Sequence, residues 1–293
     1  MGYQLVTLQK IYNKLKIVLN KLIVLLIFLL ISCSTTDNIV VKNNPSKTNL
    51  LKSTFTDNNI LSIKSVIAED PNNSELYTLL GNQYLNNEDF ENAIYNLTIA
   101  IDSNNNSFES YNSRGRAYFL LGKFDEALQD YNTSLNIEPK SSVVYLNRAT
   151  YYSQKGKYKL ALKDLNSSIE YNSNNFSAYE LRGKIYQRDN MHLDAIQDFD
   201  LAISLKPNNA SSLYYRAVSY NELSRFYHAL DDLNQVLYID PNLTQALFIR
   251  ADIHKRFNNL EEAIIDYQQI LKNEKNNTKA KKELIKTRRI KKP

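Results

Sequence analysis

Alanine recurs every 34 residues from Ala93 to Ala263, at Ala127, Ala161, Ala195 and Ala229 between, and each is followed by Ile or Leu. A register kept over six copies leaves few folds open, because every copy must be the same local unit meeting its neighbour in the same way. Tyr84, Tyr118, Tyr152, Tyr186 and Tyr220 keep the same step, and His254 takes that place in the sixth copy. Pro71, Pro139, Pro207 and Pro241 are separated by 68, 68 and 34 residues, so four of the six prolines fall at one point of the register.

Within a copy the apolar residues follow a helical period. Ala127, Leu128, Tyr131, Ser134 and Leu135 share one face of a helix. A lone pair of such helices cannot bury that face, whereas stacked pairs can, so stability comes from nearest neighbours. Alanine in the register lets two helices approach closely. Counting Phe108 as position 1, Tyr111, Gly115, Tyr118, Ala127, Tyr131 and Pro139 stand at positions 4, 8, 11, 20, 24 and 32. This pattern resembles the tetratricopeptide (TPR) signature, with Arg114 departing where the family usually has Leu. The resemblance covers residues 74–277. It implies an all-α, right-handed superhelical solenoid of six repeats (74–107, 108–141, 142–175, 176–209, 210–243 and 244–277) with partial caps.

Both ends differ from the repeats. Residues 1–32 carry Lys10, Lys14, Lys16 and Lys21, no acidic side chain, and the apolar run Leu22 to Ile31. That is the layout of a secretory signal peptide, and ten apolar residues are short for a bilayer span. The sequence Leu30-Ile31-Ser32-Cys33 resembles the bacterial lipobox, which implies that Cys33, the single cysteine, carries lipid as the mature N-terminus. An uncleaved anchor starting near Ile17 is the competing reading. By resemblance to Gram-negative lipoproteins, Ser34 after the cysteine favours the outer membrane, on its periplasmic face. Residues 33–56, rich in Asn, Ser, Thr and Lys, read as a lipidated N-terminus and flexible tether. Residues 57–73 read as a degenerate half repeat, with Ile60, Leu61, Ile63, Val66 and Ile67 on a helix.

After residue 277 come eight basic residues and Glu283; Ala280, Leu284 and Ile285 suit a short capping helix followed by a positive tail. Residues 33–277 hold 24 basic and 30 acidic side chains, so an acidic body precedes a basic end. The tail's charge suits anionic lipid heads, an acidic partner or nucleic acid. The reading taken is a solvated cap, with no nucleic-acid partner expected.

Arg114, Arg148, Arg182, Arg216 and Arg250 stand at position 7, and Asp130, Asp164, Asp198, Asp232 and Asp266 at position 23 of the same repeats. The first repeat has Leu80 and Asn96 and lacks both. Joint presence and absence points to structural ion pairs between the two helices of a repeat, formed within repeats or between adjacent ones; a charged ligand ladder is the competing reading. The TPR resemblance also implies ligands on the concave surface of the first helices, where Asn112, Arg116, Phe119, Leu146, Asn147, Lys184, Tyr214, Tyr215 and Phe248 stand. Lys is absent from position 5, so the chaperone-type carboxylate clamp is not assembled.

Catalysis has little support. His192, His228 and His254 stand at three different positions of three repeats, and HExxH and GxSxG are absent. Gly115 to Lys123 has the wrong spacing for a phosphate loop, and Gly122 and Gly156 instead suit the left-handed ends of first helices. No metal or cofactor is expected, CxxC being absent too. The expected function is a membrane-anchored scaffold that binds a protein or peptide partner. It resembles bacterial TPR lipoproteins that help assemble pilus secretin rings or bring cell-wall hydrolases together. The alternative is a self-associating envelope protein whose acidic body meets another copy's basic tail.

Overall fold

The computed structural model describes residues 60–291. The expected signal peptide (1–32), the lipidation site Cys33, the tether (33–56) and the first three residues of the half repeat lie outside the described residues.

Fourteen helices follow one another with no strand among the described residues. A single helix, α1 (Ile60–Glu69), precedes six helical hairpins. These are α2 (Ser74–Asn86) with α3 (Phe90–Ser103), α4 (Phe108–Leu120) with α5 (Phe124–Ile137), and α6 (Ser142–Gln154) with α7 (Tyr158–Tyr171). The chain continues through α8 (Phe176–Arg188) with α9 (His192–Leu205), α10 (Ala210–Glu222) with α11 (Phe226–Ile239), and α12 (Thr244–Arg256) with α13 (Leu260–Asn273). The last helix is α14 (Thr278–Lys291). Every first helix thus starts at position 1 and every second helix at position 17.

The boundaries have local causes. Side chains of Asn73, Ser107, Asn175, Asn209 and Asn277, all at position 34, accept from backbone N–H groups of the following first turn. Such caps satisfy donors that the helix itself leaves open. Each first helix ends with a left-handed residue at position 15: Gly122 and Gly156, but also Glu88, Asn190, Ser224 and Asn258, at φ 56 to 60°. The next N–H then donates back to the carbonyl at position 11, as from Asp89 to Tyr84 (3.0 Å) and from Arg225 to Tyr220 (2.8 Å). This is a Schellman closure, and four of its six occurrences use residues with a Cβ.

Packing explains the alanines. All six at position 20 are fully buried. Facing them, position 8 is always Gly or Ala: a Cβ on Gly81 would lie 2.5 Å from Leu97, on Gly115 2.9 Å from Tyr131, and on Gly183 2.8 Å from Phe199. The large residue at position 24 therefore nests against the missing side chain at position 8 and locks the hairpin. Hairpins then stack in chain order, each helix touching the next, and the first helices α2, α4, α6, α8 and α10 also touch one another in succession. The result is an all-α superhelical solenoid whose core is a series of adjoining apolar clusters.

The two end helices depart in part from expectation. In α1 only Ile63 is buried, and Leu61 lies exposed. Helix α14 is longer than the short cap expected: it runs through the basic residues to Lys291, buries Ala280, Leu284 and Thr287, and leaves Ile285 exposed. Ala280, Leu284 and Thr287 form the buried stripe, and Ile285, about 100° around the helix from Leu284, falls outside it.

Candidate functional site

The first helices present one continuous face, sewn together by side chains about one repeat apart. Thr78 Oγ1 lies 2.7 Å from Ser110 Oγ, and Asn147 Nδ2 donates to Asn112 Oδ1 at 2.8 Å. Gln187 Nε2 donates to the Tyr215 carbonyl and to Ser219 Oγ, both at 2.8 Å. Along this face, α6, α8 and α10 enclose a groove of 360 Å³ lined by Leu146, Asn147, Thr150, Glu180, Lys184 and Ser211, among others.

Charge in the groove is arranged around Glu180. Its carboxylate pairs with Lys184 and accepts from Ser211 Oγ (3.0 Å) and Ser212 Oγ (2.8 Å). Burial pushes the carboxyl pKa up, but the hydrogen bonds from Lys184 and the two serines outweigh it and hold the group below its ordinary value. Glu180 is therefore ionised at neutral pH, and the Lys184 ammonium sits 4.5 Å from the Tyr215 ring centroid. The groove offers an apolar wall (Leu146, Leu181), an amide (Asn147) and a fixed ion pair, a mixture suited to a peptide backbone with one apolar and one charged side chain.

The structure brings Leu146, Asn147 and Lys184 of the sequence-derived set together here, and Asn112 joins through its bond to Asn147. The aromatics divide differently. Phe119 packs edge-on against Phe124 (5.9 Å) in the core around Tyr131. Tyr215 stacks on Phe199 (6.1 Å), Tyr214 packs on the C-terminal core, and Phe248 lies against Tyr267 (6.1 Å) with Lys279 above it. Arg116 is exposed on α4. Sequence reasoning missed Glu180, Ser211 and Ser212; Glu180 at position 5, one helical turn before Lys184, was the available signal.

The arginine ladder is resolved residue by residue. Each arginine binds the aspartate of its own repeat through two parallel bonds: Arg114 to Asp130 (2.8 and 2.9 Å), Arg148 to Asp164 (2.7 and 2.9 Å), Arg182 to Asp198 (2.8 and 2.7 Å). Arg216 with Asp232 and Arg250 with Asp266 repeat the arrangement. The remaining Nη1 donates backwards, to position 25 of the preceding repeat: Thr98, Asn132, Asn166, Asp200 and Asn234 in turn. Each guanidinium thus joins three helices. In three repeats tyrosines one turn before and after flank it, as Tyr179 (5.7 Å) and Tyr186 (5.9 Å) flank Arg182; Arg216 keeps only Tyr220, with Leu213 on the other side. The bonds to Asp198 raise the Arg182 pKa above its usual value, against the lowering by burial. In the sixth repeat Leu247 and His254 take the places of both tyrosines; the His254 Nδ1 is buried with no hydrogen-bond partner among the described residues, and burial lowers its pKa.

No three His, Cys, Asp or Glu residues among those described are placed to hold a metal ion, and no described helix is long and apolar enough to cross a membrane.

Tetratricopeptide-repeat family models match residues 63–95, 108–141, 146–210 and 244–277, together more than half of the chain. The chain belongs to the tetratricopeptide-repeat family. No curated protein matches its sequence. Among solved structures, this TPR array is similar to that reported in "Functional Characterization of Pseudomonas Aeruginosa pilF", at 15% identity and TM-score 0.67 over 75% of this chain and 99% of that one. It is similar to the TPR protein YrrB, described as having an unusual peptide-binding site, at 20% identity and TM-score 0.51 over 65% of this chain and 98% of that one. The APC/C hetero-tetramer Cut9–Hcn1 matches at 19% identity and TM-score 0.63 over 78% of this chain, which spans 45% of that chain's length. At these identities the TPR fold is what is shared.

Proposed function

We propose that this TPR protein is a binding scaffold, tethered to a bacterial envelope membrane by lipid on Cys33, that takes an extended peptide segment of a partner protein into the groove between α6, α8 and α10. The observation that carries the reading is the groove's composition. Its ion pair is built before any ligand arrives, Glu180 being fixed by Lys184, Ser211 and Ser212, while Leu146 and Asn147 stand beside it. Preorganised polar groups beside an apolar wall lower the ordering cost of binding. Support for the tether is the Leu30-Ile31-Ser32-Cys33 sequence after an apolar run, with the outer membrane as the destination that Ser34 favours.

The test is photo-crosslinking in cells of the source organism with the probe at Thr150, an exposed lining residue. An adduct with one envelope protein, reduced at least tenfold by Lys184→Glu while the far-UV spectrum stays unchanged, is expected. An adduct insensitive to Lys184→Glu overturns the groove assignment. Labelling with an alkyne fatty acid tests the tether separately: label persisting in Cys33→Ser refutes it.

A further inference from the structure

Charge is spread unevenly along the array, and the imbalance is greatest at its two ends. Residues 60–107 carry seven acidic side chains, from Glu69 to Asp102, against the single basic Lys64. The missing rung of the ladder does not account for it, since Leu80 and Asn96 replace one Arg and one Asp together; the excess comes from Glu69, Asp70, Glu75, Glu88, Asp89, Glu91 and Asp102. Helix α14 carries seven basic side chains and one acidic, Glu283. The ends therefore differ by sign at nearly equal magnitude, about −6 and +6.

Neither end is neutralised within one copy, although on α14 Lys286 pairs with Glu283 and Lys291 with Glu261. In the interior the ladder binds charge into pairs, but none of the acidic side chains from Glu69 to Asp102, nor Lys281, Lys282, Arg288 or Arg289, enters an ion pair among the described residues. On α14, Ile285 and Ile290 are 52% and 63% exposed. Ile285 stands at position 8, where every other repeat has Gly or Ala so that a second helix can nest. A side chain of that size obstructs the nesting seen in the six hairpins, and among the described residues this outer face of α14 is exposed with apolar and basic groups mixed.

We propose that this chain associates with itself head to tail, the outer face of α14 of one copy meeting the acidic first hairpin, α2 and α3, and the end of α1 of the next. A second copy is the occupant because the chain supplies both charges in matching amount. The two patches are different surfaces of one molecule, so the contact is heterologous and propagates as an open chain or closes as a ring. Paired charges at such a rim set the register and the rate of association, with a strong dependence on salt. The groove between α6, α8 and α10 takes no part in the contact.

The test is sedimentation velocity of the full chain in a non-ionic detergent. Raising NaCl from 0.1 to 1 M shortens the screening length from about 10 Å to about 3 Å. Mass above the monomer at 0.1 M, growing with protein concentration and returning to the monomer at 1 M, is expected. Two charge reversals are chosen at helix ends where the new charge suits the helix dipole: Glu69→Lys with Asp102→Lys, and Lys281→Glu with Lys282→Glu. Each variant alone should be monomeric, with the wild-type circular dichroism spectrum. Their equimolar mixture should give a dimer that grows no further, because one retains a working acidic end and the other a working basic end. A monomer at 0.1 M, or assembly that both reversals leave unchanged, overturns the proposal. So does binding of α14 to phosphatidylglycerol vesicles or to duplex DNA, lost in Lys281→Glu with Lys282→Glu, by a chain that does not self-associate.

Discussion

Removing the carboxylate of Asp198 tests what the ladder contributes. In the native fold that side chain is 4% exposed and accepts two bonds from Arg182, itself 19% exposed. In Asp198→Ala the guanidinium keeps its bond to Asn166 and its flanking tyrosines but loses its counter-charge in a site largely closed to water. Stranding a charge costs about 3–5 kcal/mol when it is fully buried. The residual exposure of Arg182 places this case at the low end, about 3 kcal/mol, which for an array of this size lowers the melting temperature by about 6–12 °C. Arg182→Ala and the double variant complete a cycle, with an expected coupling of at least ~1.5 kcal/mol. Repeat arrays do not unfold as one unit, so urea denaturation should be read beside amide hydrogen exchange. Protection should fall first in α7, α8 and α9, the three helices that Arg182 joins. A loss below about 0.5 kcal/mol, or a coupling indistinguishable from zero, refutes the structural reading and returns the ladder to the candidate ligand sites.

Ala161→Leu should cost roughly 1–3 kcal/mol, because the fully buried alanine stands where two helices meet; an unchanged melting temperature contradicts this. Ser224→Gly should stabilise by about 1 kcal/mol, since Ser224 holds φ 56° where Gly122 and Gly156 do the same without a Cβ; a lower urea midpoint would count against it. His254, with its folded pKa lowered by burial and by Arg250 against the opposing Asp266 and Glu262, favours the neutral ring. Its contribution is complete above the ordinary histidine value of about 6.5 and is lost as pH falls through the lower folded value. The urea midpoint should therefore drop more steeply from pH 7 to pH 5 in the wild type than in His254→Tyr, and parallel profiles would exclude His254 as the cause.

The solenoid was legible because its determinants are local and repeated. Ala161 and Tyr152 each recur at one place in the register, so a period of 34 sets helix lengths and their order without any long-range contact having to be guessed. The coupling of Arg182 to Asp198 was readable for the same reason, from joint absence at Leu80 and Asn96. The third bond, from Arg182 to Asn166, was not: position 25 holds Thr98, Asn132, Asn166, Asp200 or Asn234, and only stacking geometry shows that each receives the same Nη1. The left-handed position 15 was visible at Gly122 and Gly156 but hidden at Glu88 and Ser224, exposed residues that the Schellman hydrogen bonds hold in a conformation local preference disfavours. In the groove, composition could not divide aromatics between core and surface. Phe119 and Tyr215 occupy surface positions of the repeat pattern, yet each rests on a ring of the core beneath.

The backward bond of each arginine gives the array the grammar of interchangeable cassettes. Excision of residues 142–175 would bring Arg182 onto Asn132, the same chemical group in the same place as the Asn166 it leaves, so the chain closes over the gap with every rung intact. The first repeat differs: Thr98 receives the bond from Arg114, but Leu80 has none to send back, so this repeat adds no rung toward whatever precedes it. As far as the ladder is concerned the array can lengthen or shorten by whole repeats, but removing residues 142–175 also takes away Leu146, Asn147 and Thr150, so the groove rather than the fold sets the limit.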